Sequence, residues 1–236
     1  MPTFDIIGFD ADDTLWHNER MYAAAEANFI DLVANYYDRQ SISDRLFETE
    51  TRNMRTLGYG VKAFTLSMIE TAIYLSSGKI SASEIGQIVQ SGKDILESPV
   101  DLFPHVAETI PLLAKSHPLM LITKGDLLDQ ESKLIRSGLM EYFKYVEIIS
   151  DKNTASYRKI FNRYSIDPDH FLMVGNSVRS DILPVLELGG HAVHIPFEIT
   201  WAHEVAEAPA DDHPGYYTLK NMGELPGLLL SLSEKN

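Results

Sequence analysis

Phe4-Asp5-Ile6-Ile7-Gly8-Phe9-Asp10-Ala11-Asp12-Asp13-Thr14-Leu15-Trp16 opens with a short apolar run, Ile6, Ile7 and Phe9, and then turns acidic. Such a run is the pattern of a strand buried on both faces. It stops at Asp10, and Asp12 follows two residues later. Alternate positions of an extended chain share a face, so both carboxylates can point into one crevice. Two acids this close do not comfortably stay ionised together; a divalent cation or opposite protonation tasks would resolve the conflict. The carboxyl end of a strand in an open α/β sheet is where ligands bind. One carboxylate there can act as a nucleophile and the other can shuttle a proton.

Outward from this stretch the composition changes. Residues 17–97 read as wholly helical. Met21, Ala25, Phe29, Leu32, Val33 and Tyr36 recur at helical spacing, and a second helix is predicted over about 43–56 with Leu46, Phe47 and Met54 as its apolar positions. Gly58-Tyr59-Gly60 breaks the pattern. A third helix carries Phe64, Met68, Ile69, Ile73 and Tyr74 and ends near Gly78. Ser81 and Glu84 have the spacing of a capping box that opens a fourth, through Ile85, Ile88 and Val89, and Pro99 closes the block.

From Leu102 the chain alternates helix and strand, as a parallel sheet with crossover helices requires. Strands are predicted at Leu119–Ile122, Tyr145–Ile149, Phe171–Val174, Ala192–Ile195 and Tyr216–Leu219, with a closing helix over Met222–Leu230. The second strand runs into Thr123-Lys124-Gly125-Asp126, where a hydroxyl followed by the N–H groups of a Gly-containing turn makes a competent anion cradle. Residues 196–214, rich in His, Glu, Asp and Pro, read as a surface excursion; His194, His203 and His213 are spaced too irregularly for a compact metal site.

Bulk properties narrow the function. The chain has 236 residues, 44% of them hydrophobic, enough for a packed core with a sizeable insertion. It has no cysteine, which excludes disulfides and thiolate metal sites and fits a reducing compartment. The start lacks the basic-then-apolar pattern of a secretory signal. No apolar run approaches the roughly 20 residues of a membrane span. A net charge of −14 argues against a nucleic-acid polymer as partner and means that local cations must attract any anionic substrate. The expectation is a cytoplasmic protein acting on a small molecule, with no membrane partner.

An apolar run followed by D-x-D-x-T, here Asp10 to Thr14, resembles motif I of the haloacid dehalogenase-like hydrolase superfamily. Thr123 with Lys124 and Gly125 resembles motif II, although relatives often carry Asn-Gly after the hydroxyl residue, and Gln130 to Phe143 is similar to the family segment that follows. Lys152, with Tyr157 five positions on, resembles motif III, and Gly175-Asn176-Ser177-Val178-Arg179-Ser180-Asp181 resembles motif IV, G-D-x-x-x-x-D. Two further departures stand out: Asn176 where many members carry Asp, and Asp13 where most carry Gly.

The resemblance implies an α/β, Rossmann-like core of residues 1–16 and 98–236 with a parallel sheet, and an inserted all-helical C1-type cap over 17–97. It implies a phosphatase of small phosphorylated metabolites, with Asp10 as nucleophile, Asp12 as acid and base, and Thr123 and Lys152 holding the phosphoryl charge. Magnesium would be bound by Asp10, the backbone carbonyl of Asp12, Asn176 and Asp181, the last directly or through water unless it orients Lys152; an amide at Asn176 would weaken the hold. Lys124 and Gly125, with Arg55, Tyr59 and Lys62 of the cap loop, would meet the substrate. A 2-haloacid dehalogenase shares the fold and the nucleophile but lacks the second motif I aspartate, so Asp12 favours the phosphatase. A phosphomutase and a non-catalytic phosphate-ligand binder stay open.

Overall fold

In a computed structural model the chain is described over residues 4–198, 204–210 and 212–234, and two compact units emerge. The α/β unit comprises Met1–Glu19, Val100–Lys124 and Gln130–Asn236; the helical unit comprises Arg20–Pro99 and Gly125–Asp129.

The α/β unit holds strands β1 (Ile6–Phe9), β2 (Leu119–Lys124), β3 (Phe143–Ile149), β4 (Phe171–Gly175), β5 (His191–His194) and β6 (Tyr216–Thr218). They form one sheet of order β3-β2-β1-β4-β5-β6, parallel at every pairing. β1, buried at all four residues, is central, with Ile7 opposite Leu119 on one side and Leu172 on the other. Strand order reverses at β1, so the crevice outside the carboxyl ends of β1 and β4 is the topological switch point of the sheet.

Alternation along the strands sorts the core into two layers. Ile7, Phe9, Leu119, Leu121, Leu172 and Val174 face α5 (Val106–Leu113), α6 (Leu127–Arg136) and α9 (Leu225–Glu234), meeting Ile110, Leu134 and Leu225. Ile6, Met120, Ile122, Phe171 and Met173 face α7 (Thr154–Tyr164) and α8 (Leu183–Leu186), meeting Tyr157, Ile160 and Val185. Gly8 lies in this second layer; a Cβ there would come within 2.5 Å of the Phe171 ring.

The helical unit holds α1 (Glu19–Val33), α2 (Arg39–Leu57), α3 (Val61–Leu75) and α4 (Ala82–Glu97) around Phe29, Val33, Leu46, Phe64, Met68 and Ile88. The expected capping box is present: Glu84 N–H donates to Ser81 Oγ, and Ser81 N–H to the Glu84 carboxylate. Phe47, Ile73, Tyr74 and Val89, expected on the apolar stripes, are exposed instead. Each of Phe47, Tyr74 and Val89 adjoins another apolar residue, and successive helical side chains diverge by about 100°, so one neighbour takes the core and the other solvent. Tyr74 lies beneath the Arg45 guanidinium, 3.8 Å from its ring centroid.

Elsewhere the bounds move at the ends: β2, β3 and β4 run one or two residues longer than expected, β5 begins and ends one residue earlier, and β6 stops one residue short. α2 begins about four residues early, and the closing helix spans Leu225–Glu234 after a single 3-10 turn. After β4, Val178–Ile182 is a π-helical turn, followed by the short α8.

Candidate active site

At the end of β1 the backbone carries Asp10 into the switch-point crevice, where it is 7% exposed. One of its oxygens accepts a charge-assisted bond from Lys152 Nζ, and the other lies 2.8 Å from Thr14 Oγ1. Lys152, in the loop between β3 and α7, is buried, and its ammonium also donates to Asp181 Oδ1 at 2.7 Å. Two carboxylates therefore share one ammonium out of water. Burial, with Asp181 and Asp12 adding, pushes the Asp10 carboxyl up to about 7 although Lys152 pulls the other way. Burial also works against the Lys152 charge, but Asp10 and Asp181 outweigh it and hold its pKa above the ordinary lysine value.

The π-helical turn explains how Asp181 reaches Lys152. Its widened backbone, with Asp181 N–H and Ile182 N–H both directed at Ser177 O, turns the Asp181 side chain back so that Oδ2 accepts from Ser177 N–H at 3.0 Å. Gly175 makes room, since a Cβ there would land on this carboxylate. Both Asp181 oxygens are thus engaged, one by Lys152 and the other by Ser177 N–H.

Asn176 follows β4. Thr14 Oγ1 is 3.1 Å from Asn176 N and 3.2 Å from Asn176 Oδ1, so the hydroxyl ties the end of β1 to the end of β4. His194, on β5, supports the same corner, with Nε2 3.0 Å from Asn176 O. An Asp10 oxygen and the Asn176 amide oxygen thus converge on Thr14, hard donors of the kind magnesium takes. Among the described residues no three His, Cys, Asp or Glu side chains are grouped so as to hold a metal, so an ion here would rest on one carboxylate, an amide oxygen, backbone and water. That fits a magnesium ion, which keeps several waters.

Asp12 is held from three sides. Its Oδ1 accepts from Trp16 Nε1 at 2.7 Å and Lys133 Nζ at 3.1 Å; its Oδ2 accepts from Gln130 Nε2 at 2.8 Å and from the same ammonium at 3.2 Å. Asp13 takes a left-handed backbone, φ +60°, and its carboxylate receives the N–H groups of Asn18 and Glu19 at the start of α1, which is how Asp serves where a glycine is usual.

Thr123 and Lys124 are the last two residues of β2 rather than the first of a loop. Lys124 is ion-paired with Glu204 and lies 3.1 Å from Ser180 Oγ, while Glu204 also accepts from Ser177 and Ser180. The surface excursion expected over 196–214 is corrected at this point: Glu204 is turned inward, its side chain 12% exposed. His203 lies outside the described residues. In the helical unit, Gly125 has φ +142°, Arg55 is exposed in the last turn of α2, Tyr59 is half-buried, and Lys62 Nζ is paired with Asp126 at 2.9 Å.

A family model described as haloacid dehalogenase-like hydrolase matches residues 4–189. The chain belongs to the haloacid dehalogenase-like hydrolases. A crystal structure of a haloacid dehalogenase-like family hydrolase from Xanthomonas campestris is 36% identical, covering 99% of this chain and 93% of its own, with a TM-score of 0.88. A 2-haloacid dehalogenase from Pseudomonas syringae pv. Tomato DC3000 shares the fold at 23% identity and TM-score 0.64, covering 97% of this chain and 99% of its own. A glyceraldehyde 3-phosphate phosphatase from Methanothermobacter thermautotrophicus is 32% identical over 107 residues, 42% of this chain; the match spans about half, 47%, of that relative's length.

Several residues of this haloacid dehalogenase-like site were not singled out from sequence. Thr14 stood inside motif I without a role. Gln130 and Lys133 stood in the segment similar to the family's, and their i, i+3 spacing on α6 was the available signal. Trp16, Ser177, Ser180 and Glu204 gave none by spacing alone.

Proposed function

We propose that the protein is a magnesium-dependent phosphatase of small phosphate monoesters. The observation that carries this reading is Asp10, buried at the switch point between Lys152 and Thr14. In the first step an Asp10 oxygen attacks phosphorus, the bond to the leaving oxygen breaks, and that oxygen takes a proton from Asp12. In the second, water attacks phosphorus, gives its proton to Asp12, and the bond to Asp10 breaks, releasing inorganic phosphate. Lys152 holds negative charge beside the nucleophile throughout, with Asp181 fixing its ammonium; Thr123 and backbone N–H groups at the end of β2 bind the phosphoryl oxygens. Asp10, the Asp12 carbonyl and Asn176 would hold magnesium, which when bound neutralises the nucleophile and the phosphate against each other.

The acid at Asp12 supports phosphate-ester chemistry over dehalogenation, and the archaeal relative's name points the same way. The test is release from 4-nitrophenyl phosphate with and without magnesium, with Asp10→Asn alongside. Magnesium-dependent turnover lost by at least about a thousandfold in the variant, its melting temperature retained, is the expected result. Turnover that survives Asp10→Asn overturns the mechanism.

A further inference from the structure

Lysine is rarely buried, yet Lys133 is 3% exposed, and Gln130, one helical turn before it on α6, is equally buried. Both point at Asp12. The Lys133 ammonium divides its bonds between the two Asp12 oxygens and Asn18 Oδ1, the last at 2.8 Å. The Gln130 amide donates to Oδ2, and the Trp16 indole, four residues along the chain, donates to Oδ1. An unsupported Asp side chain at a strand end has two free torsions. Here donors from α6 and from the turn after β1 fix both, at the cost of burying an ammonium that must keep its partners.

We infer that Lys133, Gln130 and Trp16 are positioning residues for Asp12, and that they determine how well the enzyme releases poor leaving groups. The inference rests on the phosphatase reading. The four donor contacts hold Asp12 as an acceptor, the form in which it receives the proton of the attacking water. Handing a proton to the leaving oxygen then requires the carboxyl to stay aimed while one contact loosens, and the remaining two residues keep it aimed. An activated aryl oxide leaves without much help from a proton; a weakly acidic phenol or an alcohol does not. The clamp should therefore matter little for 4-nitrophenyl phosphate and much for phenyl phosphate.

The experiment measures kcat/KM over a series of aryl phosphates of graded leaving-group acidity, from phenyl to 4-nitrophenyl, for wild type, Lys133→Met, Trp16→Phe and Lys133→Arg. Wild type should show a shallow dependence on leaving-group acidity. Lys133→Met and Trp16→Phe should steepen it, with phenyl phosphate losing about tenfold or more beyond the loss on 4-nitrophenyl phosphate. Lys133→Arg should restore part of the difference, and in an Asp12→Asn background Lys133→Met should add no further steepening. Trp16→Phe removes the indole N–H and keeps a smaller aromatic ring at a buried position, so it gives a second, independent variant if Lys133→Met folds poorly. Parallel dependences, with equal proportional losses on every substrate, overturn the inference and leave the phosphatase standing. A wild type with no Asp10-dependent turnover instead removes the phosphatase reading, and the inference with it.

Discussion

Lys152 balances two buried carboxylates, Asp10 and Asp181, and that arithmetic sets the behaviour of the site when any member is changed. Lys152→Met removes the one positive charge and leaves two acids out of water. Breaking a buried pair in this way costs about 3–5 kcal/mol, well above what an exposed pair contributes. Urea unfolding at pH 7.5 should register that loss, and adding Asp181→Asn to Lys152→Met should recover part of it by removing one of the stranded charges. A loss below about 1 kcal/mol would mean that the triad is solvated and the electrostatic account is wrong. Legibility differed sharply from residue to residue here. Asp10, Lys152 and Asp181 were readable because each follows a recognisable strand at a fixed offset. Lys133 and Glu204 were not, because their importance lies in where a long side chain ends rather than where its Cα sits. A lysine on an amphipathic helix and a glutamate in a Pro-rich loop both default to solvent, and only tertiary contacts reverse that default.

At the level of elements, β4 and its π-helical turn operate as one device, with Gly175 as the clearance that lets Asp181 fold back. Gly175→Ala should displace the Asp181 carboxylate, loosen Lys152 and reduce kcat on the order of a hundredfold, with a smaller change in KM. Unchanged kcat would show that the turn has room the geometry denies it. The α4 capping box gives a separate test in the helical unit. Bonds from Ser81 N–H and Oγ hold the Glu84 carboxyl below its ordinary value, so its contribution to stability is present above the unfolded pKa and is lost as pH falls through the folded one. Glu84→Ala should lower the melting temperature at pH 7 and make little difference near pH 3; an equal drop at both would refute the charge-dependent cap. This box was legible because Ser and Glu three apart are a local signal. The exposed Tyr74 and Phe47 were misassigned because the 3.6-residue period permits two neighbouring apolar residues but buries only one.

For the molecule as a whole, a net charge of −14 opposes compaction at low ionic strength. The melting temperature at pH 7 should rise between about 10 and 150 mM sodium chloride as repulsion is screened, and a fall would place attractive ion pairs in control instead. The sheet order carries a consequence of another kind, in the history of each newly made chain. β1 leaves the ribosome first, yet its neighbours β2 and β4 begin at Leu119 and Phe171. At usual elongation rates the apolar segment Ile6–Phe9 waits on the order of ten seconds for its first hydrogen-bonding partner. The helices of residues 20–99 are synthesised meanwhile and have most of their own contacts close in sequence. The strand that ends at Asp10 is thus the segment that waits longest for its partners, while the sheet itself is completed only when β5 and β6 follow.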